Sequence, residues 1–104
     1  MGEVFVRARA RRDILLNAEY LEEHGGIETA QRFLDAARTT FEALAGMPKA
    51  GALCAFQSPA LRRIRRWPVK GFENWLIFYQ IRRNGIEIVH ILHGARDIES
   101  LLGG

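Results

Sequence analysis

A chain of 104 residues, 48% hydrophobic and 26% charged, implies one folded domain spanning residues 1–104 and excludes a disordered chain. Its net charge of +3 hides an asymmetry: residues 1–47 hold six arginines against eight acids, and residues 48–104 hold nine basic groups against four acids. The single cysteine, Cys54, excludes an intrachain disulfide and a cysteine zinc cluster, which suits a reducing compartment.

No apolar run approaches the ~20 residues that cross a bilayer, and Met1 to Arg7 lacks a signal-peptide core, so a soluble cytoplasmic protein is expected. Glu3 to Arg7 alternates, Val4 and Val6 against Phe5, and reads as a short strand. From Ala10 the period changes. Ala10, Ile14, Ala18 and Leu21 mark an amphipathic helix with Asp13 in its first turn, where negative charge favours the dipole.

Gly25-Gly26 ends that helix. A second follows over Ile27 to Leu44, with Ala30, Phe33, Leu34, Ala37, Phe41 and Leu44 as its apolar stripe, stopped by Gly46 and Pro48. The pair predicts an antiparallel αα-hairpin. Lys49 to Pro59 reads as a loop, Leu61 to Trp67 as an arginine-rich strand ended by Pro68 and Gly71. Tyr20 and Tyr79 read as packing residues, and the tail Leu102-Gly103-Gly104 as loose.

Trp75–Ile81 and Ile86–Leu92 flank Asn84-Gly85, the strongest short hairpin signal, because a type I′ turn needs positive φ at both central residues. That turn predicts Arg83 opposite Ile86, Arg82 opposite Glu87, Tyr79 opposite His90 and Ile77 opposite Leu92. Ile77, Tyr79, Ile81, Ile86, Ile88, His90 and Leu92 then share one face. Leu76, Phe78, Gln80, Arg82, Glu87, Val89, Ile91 and His93 share the other. Both faces are apolar, and one αα-hairpin covers one of them. The second needs the C-terminal residues, another subunit or a partner chain. The expected fold is α+β, β-α-α-β-β-β: a small antiparallel sheet with the hairpin on one face.

Two constellations could carry chemistry. Arg62, Arg63, Arg65 and Arg66, followed by Trp67 and Lys70, either protect an edge strand by charge or bind an anion or partner, and arginine suits phosphate and carboxylate forks. Alternation would set Arg63 and Arg65 against Arg62 and Arg66. His93-x-x-Arg96-Asp97 offers an acid/base histidine with an orienting acid and a charge-stabilising arginine, or a corner where Asp97 pairs locally. Trp67 and Trp75 read as core or partner-contact residues rather than base-stacking platforms. Cys54 reads as an apolar filler. His24 and His90 lack the neighbours a metal needs, so no metal or cofactor is expected, and Gly94 alone is no phosphate loop.

Ala10-x-x-Asp13-Ile14 with Ala18 and Tyr20, Ala30-x-x-Phe33 with Leu44, Pro48 and Gly51, Leu61-Arg62, Ile77-x-Tyr79-x-Ile81, and Ile88-x-x-Ile91-Leu92-His93-Gly94-Ala95-Arg96-Asp97 fall in an order that resembles the RelE/ParE superfamily of bacterial toxins, its ParE branch most closely. The resemblance implies a RelE/ParE-like fold and the toxin of a type II toxin–antitoxin pair. It implies binding and poisoning of DNA gyrase without catalysis, and neutralisation by a small DNA-binding, ParD-like antitoxin in a hetero-oligomer. Arg62, Arg63, Arg65, Arg66, Trp67, Trp75, His93, Arg96 and Asp97 would face antitoxin or target. The RelE-like alternative is a ribosome-dependent mRNA endonuclease, with His93 moving a proton and Arg65 and Arg96 among the phosphate-holding residues. A third reading is an inactive member that binds antitoxin alone.

Overall fold

The protein, a computed structural model, is described over residues 2–103. The elements in chain order are β1 (Glu3–Val6), α1 (Ala8–Gly25), α2 (Ile27–Gly46), β2 (Ala52–Leu53), a 3-10 turn (Pro59–Leu61), β3 (Arg65–Val69), β4 (Phe72–Arg82), β5 (Gly85–His93) and α3 (Ile98–Gly103). The expected order stands, with β2 and α3 added. The five strands are ordered β1-β5-β4-β3-β2.

The sheet is mixed rather than antiparallel, because β1 runs parallel to β5. An antiparallel partner for β1 would follow from a hairpin, but the chain leaves β1 through two helices, and such a crossover permits parallel pairing. The Glu3 N–H donates to the Asn84 carbonyl at 2.7 Å, and the Arg7 N–H to the Ile88 carbonyl at 3.1 Å.

Gly26 alone separates the helices, at a φ of 87° that a side chain would resist. Small residues, Ala10 and Ala18 on α1 and Ala30 and Ala37 on α2, are among those the helices bury. Phe33, Leu44, Ile77, Tyr79, Ile86, Ile88 and Ile91 form the main core between helices and sheet. Burying a side chain such as Phe33 fully is worth about 1.5–3 kcal/mol. Leu34, expected in the stripe, is 37% exposed, and Tyr20, expected to pack, is 51% exposed and stacks on His24 with ring centroids 4.1 Å apart. Each lies one position off the strip of its helix that the sheet covers.

Asp13 does not serve the helix dipole. α1 starts at Ala8 with no acid in its first turn, which places Asp13 beside β5 instead. There Asp13 Oδ2 lies 2.6 Å from His90 Nδ1 and accepts the Ile91 N–H at 3.1 Å, while Asn17 Nδ2 donates to the Ile91 carbonyl at 2.9 Å. β1 pairs with β5 only as far as Ile88, so two α1 side chains supply the hydrogen bonds that a longer β1 would have made.

The hairpin is shifted from the expected register. Arg82 pairs with Gly85, Gln80 with Glu87 and Tyr79 with Ile88; beyond a bulge at Val89, Phe78 pairs with His90, Ile77 with Ile91 and Trp75 with His93. The loop is therefore Arg83-Asn84, and no non-glycine residue has positive φ among the described residues. Gly85 stands inside the ladder because a Cβ there would collide with the Glu3 backbone. The bulge moves Ile91 to the helix-facing core and Leu92 to the opposite face.

β3 begins at Arg65, not Leu61, and continues through Pro68 to Val69. Pro59 opens a turn whose bonds run from Leu61 N to Ser58 O (3.0 Å), Arg62 N to Pro59 O (3.3 Å) and Ile64 N to Leu61 O (3.2 Å). Arg62 and Arg63 thus sit on a turn, not on alternate strand faces. Pro68 is tolerated because β2 pairs only with Arg65 and Arg66, leaving the outer edge beyond them without a partner strand.

The face of the sheet away from α1 and α2 divides in two. At one end Arg7, Gln80, Arg82 and Glu87 form a polar network, with Arg82 4.6 Å over the Phe5 ring. At the other, Leu61, Ile64, Phe78, Val89 and Leu92 form a second core covered by Ile98, Leu101 and Leu102 of α3. The spare apolar face is covered by the last helix of this chain. The expected loose tail is correspondingly ordered through Leu102, and Gly104 lies outside the described residues.

Candidate partner-binding surface

The arginine segment splits by local structure. Arg62 and Arg63 are exposed on the turn before β3. Arg65 stands opposite Tyr79 on the helix-facing side, where its Nη1 donates to the carbonyls of Lys49 (3.2 Å) and Gly51 (2.7 Å). The Tyr79 hydroxyl donates to the Pro48 carbonyl at 2.8 Å and accepts the Gly51 N–H at 2.8 Å. Burial raises the Tyr79 hydroxyl above its ordinary pKa, against the lowering effects of the Gly51 bond and the Arg65 charge. Arg65 and Tyr79 therefore pin the loop from Pro48 to Gly51. Trp67 packs against the main core opposite Ile77.

Arg66 points to the other face, beside Phe78. There it lines a 270 Å³ cavity with Cys54, Phe56, Leu76, Phe78 and Ile98. Burial raises the Cys54 pKa and the nearby Arg66 charge lowers it less, so the thiol stays protonated, as an apolar filler would. Among the described residues, no carboxylate pairs with Arg62, Arg63, Arg66 or Arg96.

The His93–Asp97 segment is a corner. His93 meets Trp75 edge to face, ring centroids 5.0 Å apart, and its Nδ1 accepts the Ala95 N–H at 3.2 Å. Asp97 Oδ2 accepts the Ser100 hydroxyl at 2.8 Å, and the Asp97 carbonyl accepts the Leu101 N–H at 3.3 Å, so Asp97 starts α3. Arg96 is exposed in the turn between. Trp75 bridges inward to Phe33, centroids 6.0 Å apart, and outward to Tyr20 at 6.4 Å; its Nε1 is buried with no hydrogen-bond partner.

His93 and Arg65 do not converge. His93 lies opposite Trp75 and Arg65 opposite Tyr79, on strands either side of β4. Four residues along a strand span about 13 Å and two strand spacings about 10 Å, which places the two backbones roughly 16 Å apart. An acid/base group and a charge stabiliser acting on one phosphate must both lie within hydrogen-bond reach of it.

The sequence brought Glu87 to Arg82 but missed its partners Arg7 and Gln80, which make it the centre of the polar network. Arg7 Nε donates to Glu87 Oε2 at 2.7 Å and Gln80 Nε2 to Oε1 at 2.8 Å, while Arg82 approaches to 3.9 Å. It also missed Glu99, whose Oε2 accepts the N–H groups of Gln57 (3.0 Å) and Ser58 (3.2 Å). Long-range bonds of this kind leave no mark in spacing. Among the described residues no group of three or more His, Cys, Asp or Glu could hold a metal, and no helix is long and apolar enough to cross a membrane.

One solved structure with a similar fold is a chain of the "Chromosomal ParDE TA system from P. aeruginosa": TM-score 0.72, 15% identity, covering 89% of this chain and 96% of that one. No curated protein sequence matches the chain. Residues 4–98 match the family described as "ParE toxin of type II toxin-antitoxin system, parDE". The chain therefore belongs to the ParE family of type II toxins.

Proposed function

We propose that this toxin acts in the cytoplasm by binding DNA gyrase and trapping a cleaved-DNA state, and that a ParD-like antitoxin neutralises it. The observation that carries the non-catalytic reading is the separation of His93 from Arg65. His93 is engaged with Trp75 and Ala95, and Arg65 with the carbonyls of Lys49 and Gly51. These contacts tie the two side chains to separate parts of the fold, which supports a binding role for the surface. The exposed cations Arg62, Arg63, Arg66 and Arg96, without carboxylate partners among the described residues, support an acidic partner segment.

The test is a supercoiling and DNA-cleavage assay with purified gyrase, run beside cleavage of ribosome-bound mRNA. The expected result is lost supercoiling or accumulated cleaved DNA, with intact mRNA. Cut mRNA with untouched gyrase overturns the proposal. His93→Ala adds an independent readout: a general acid or base would lose about 10²–10⁴-fold in activity, whereas a gyrase binder loses activity only in proportion to its lost folding.

A further inference from the structure

The charges along α1 are reversed relative to what stabilises a helix. From Arg7 to Arg12 the chain carries four arginines and no acid, and from Glu19 to Glu23 three acids and no lysine or arginine. Acids suit the start of a helix and cations its end, so both clusters oppose the dipole of α1. Helix stability therefore does not account for them. Ion pairing does not either: Arg9, Arg11 and Arg12 are exposed, and among the described residues no carboxylate pairs with them.

The acids that could neutralise this end are engaged elsewhere. Asp13 turns inward to His90 and the Ile91 N–H, and Glu87 takes Arg7 and Gln80. Glu3 is the exposed acid nearby, at the start of β1. Arg7 and Arg82 both reach Glu87, at 2.7 and 3.9 Å, which brings the start of α1 beside the end of β4, and Arg83 follows, exposed in the turn. Arginines from two distant stretches of sequence thus meet at the β1 edge of the sheet. Three strand spacings, about 14 Å, separate β1 from the β3 strand that carries Arg66.

The chemistry of this end favours a polyanion over a protein. Protein interfaces depend on buried apolar anchors. Here Ala10 is buried, Phe5 lies beneath the Arg82 guanidinium, and Leu15 and Leu16 begin a turn farther on. Phosphate contacts need only cations, and the guanidinium fork fits a phosphate. Arg9 and Arg12, three residues apart, are neighbours on the helix surface.

We propose that this arginine end of the molecule, Arg7 to Arg12 with Arg82 and Arg83, binds the phosphate backbone of double-stranded DNA. Its setting rests on the gyrase reading: a toxin seated on an enzyme that grips DNA would hold the same duplex, with the acidic end of α1 turned away. The contact itself is measurable without gyrase.

The probe is a fluorescein-labelled duplex of about 20 base pairs, titrated by anisotropy with the whole protein between about 50 and 200 mM salt. Affinity should fall with salt, with a log–log slope of about −0.9 per phosphate contacted. The triple variant Arg9→Gln, Arg11→Gln, Arg12→Gln should bind at least about tenfold more weakly at about 0.1 M salt and lose about one unit of slope per contact. Its melting temperature should hold or rise, since charges that oppose the dipole are gone. Arg83→Gln, on the sheet rather than the helix, should lose about one unit of slope as well. The control Arg62→Gln, Arg63→Gln, Arg66→Gln removes the same charge elsewhere and should change duplex binding little. Equal losses in the two triple variants, or no duplex binding at the lowest salt, overturn the proposal. So does a polyglutamate peptide that displaces the duplex at equal charge, which would assign the surface to an acidic protein. Arginine-dependent duplex binding with untouched supercoiling would overturn the gyrase reading and leave this contact standing; inhibited supercoiling without such binding would do the reverse.

Discussion

Single side chains decide how far the loops and edges of this fold are held. Tyr79→Phe removes one hydroxyl but two bonds, to Pro48 and Gly51, beneath the Arg65 clamp. It should cost about 1–3 kcal/mol in urea denaturation, since the Gly51 amide is left buried and unpaired. Glu87 is held below its ordinary pKa chiefly by the Arg7 hydrogen bond, with burial opposing and Gln80, Arg7 and Arg82 assisting. A carboxylate with a depressed folded pKa contributes stability above its unfolded value, and that contribution is lost as pH falls through the folded one. Stability should therefore decline as pH drops below about 4.5, the ordinary value of the group. Glu87→Gln should flatten that decline in melts taken across the range; an unchanged profile would show that other acids cause it. Cys54, with its pKa raised, should alkylate slowly in the folded protein and rapidly in urea.

At the scale of elements, α1 completes a strand. Asp13 and Asn17 satisfy the edge of β5 where β1 stops. Asp13→Ala strands the Ile91 amide and the buried His90 ring, and should cost about 2–4 kcal/mol by chemical denaturation, whereas exposed Glu19→Ala on the same helix should stay within about 0.5. The helices were legible because Phe33, Ala37, Phe41 and Leu44 repeat with the helical period. The hairpin was legible as a hairpin but not in register. Asn84-Gly85 carries a turn signal, yet Gly85 answers to Glu3, a neighbour from the opposite end of the sequence. The strand before it was misplaced for a local reason: four arginines around Ile64 conceal a proline-started turn. Asp13 showed only its helical context, since its partners lie on β5.

For the whole molecule, charge and shape point to the same side. Arg62, Arg63 and Arg66 gather near α3, away from the acidic helices. Replacing all three with Glu should slow association with an acidic antitoxin and reduce its salt dependence in stopped-flow measurements, while leaving the melting temperature nearly unchanged. The candidate surface was legible as residue types, because exposed arginine has few structural uses. Its division was not, because the fold sends Arg65 to the loop carbonyls and Arg66 to the opposite face. The pairing of β1 with β5 also governs the order of assembly. β1 is synthesised before both helices and β5 after them, so that pairing is among the most distant contacts in sequence, and such closures are slow to form. The helices can fold early from local contacts, but the sheet closes only when nearly the whole domain has been made. Until then, Asp13 has no β5 edge to cap and α3 no seat to cover, so a chain stalled before β5 should be a protease substrate rather than a toxin.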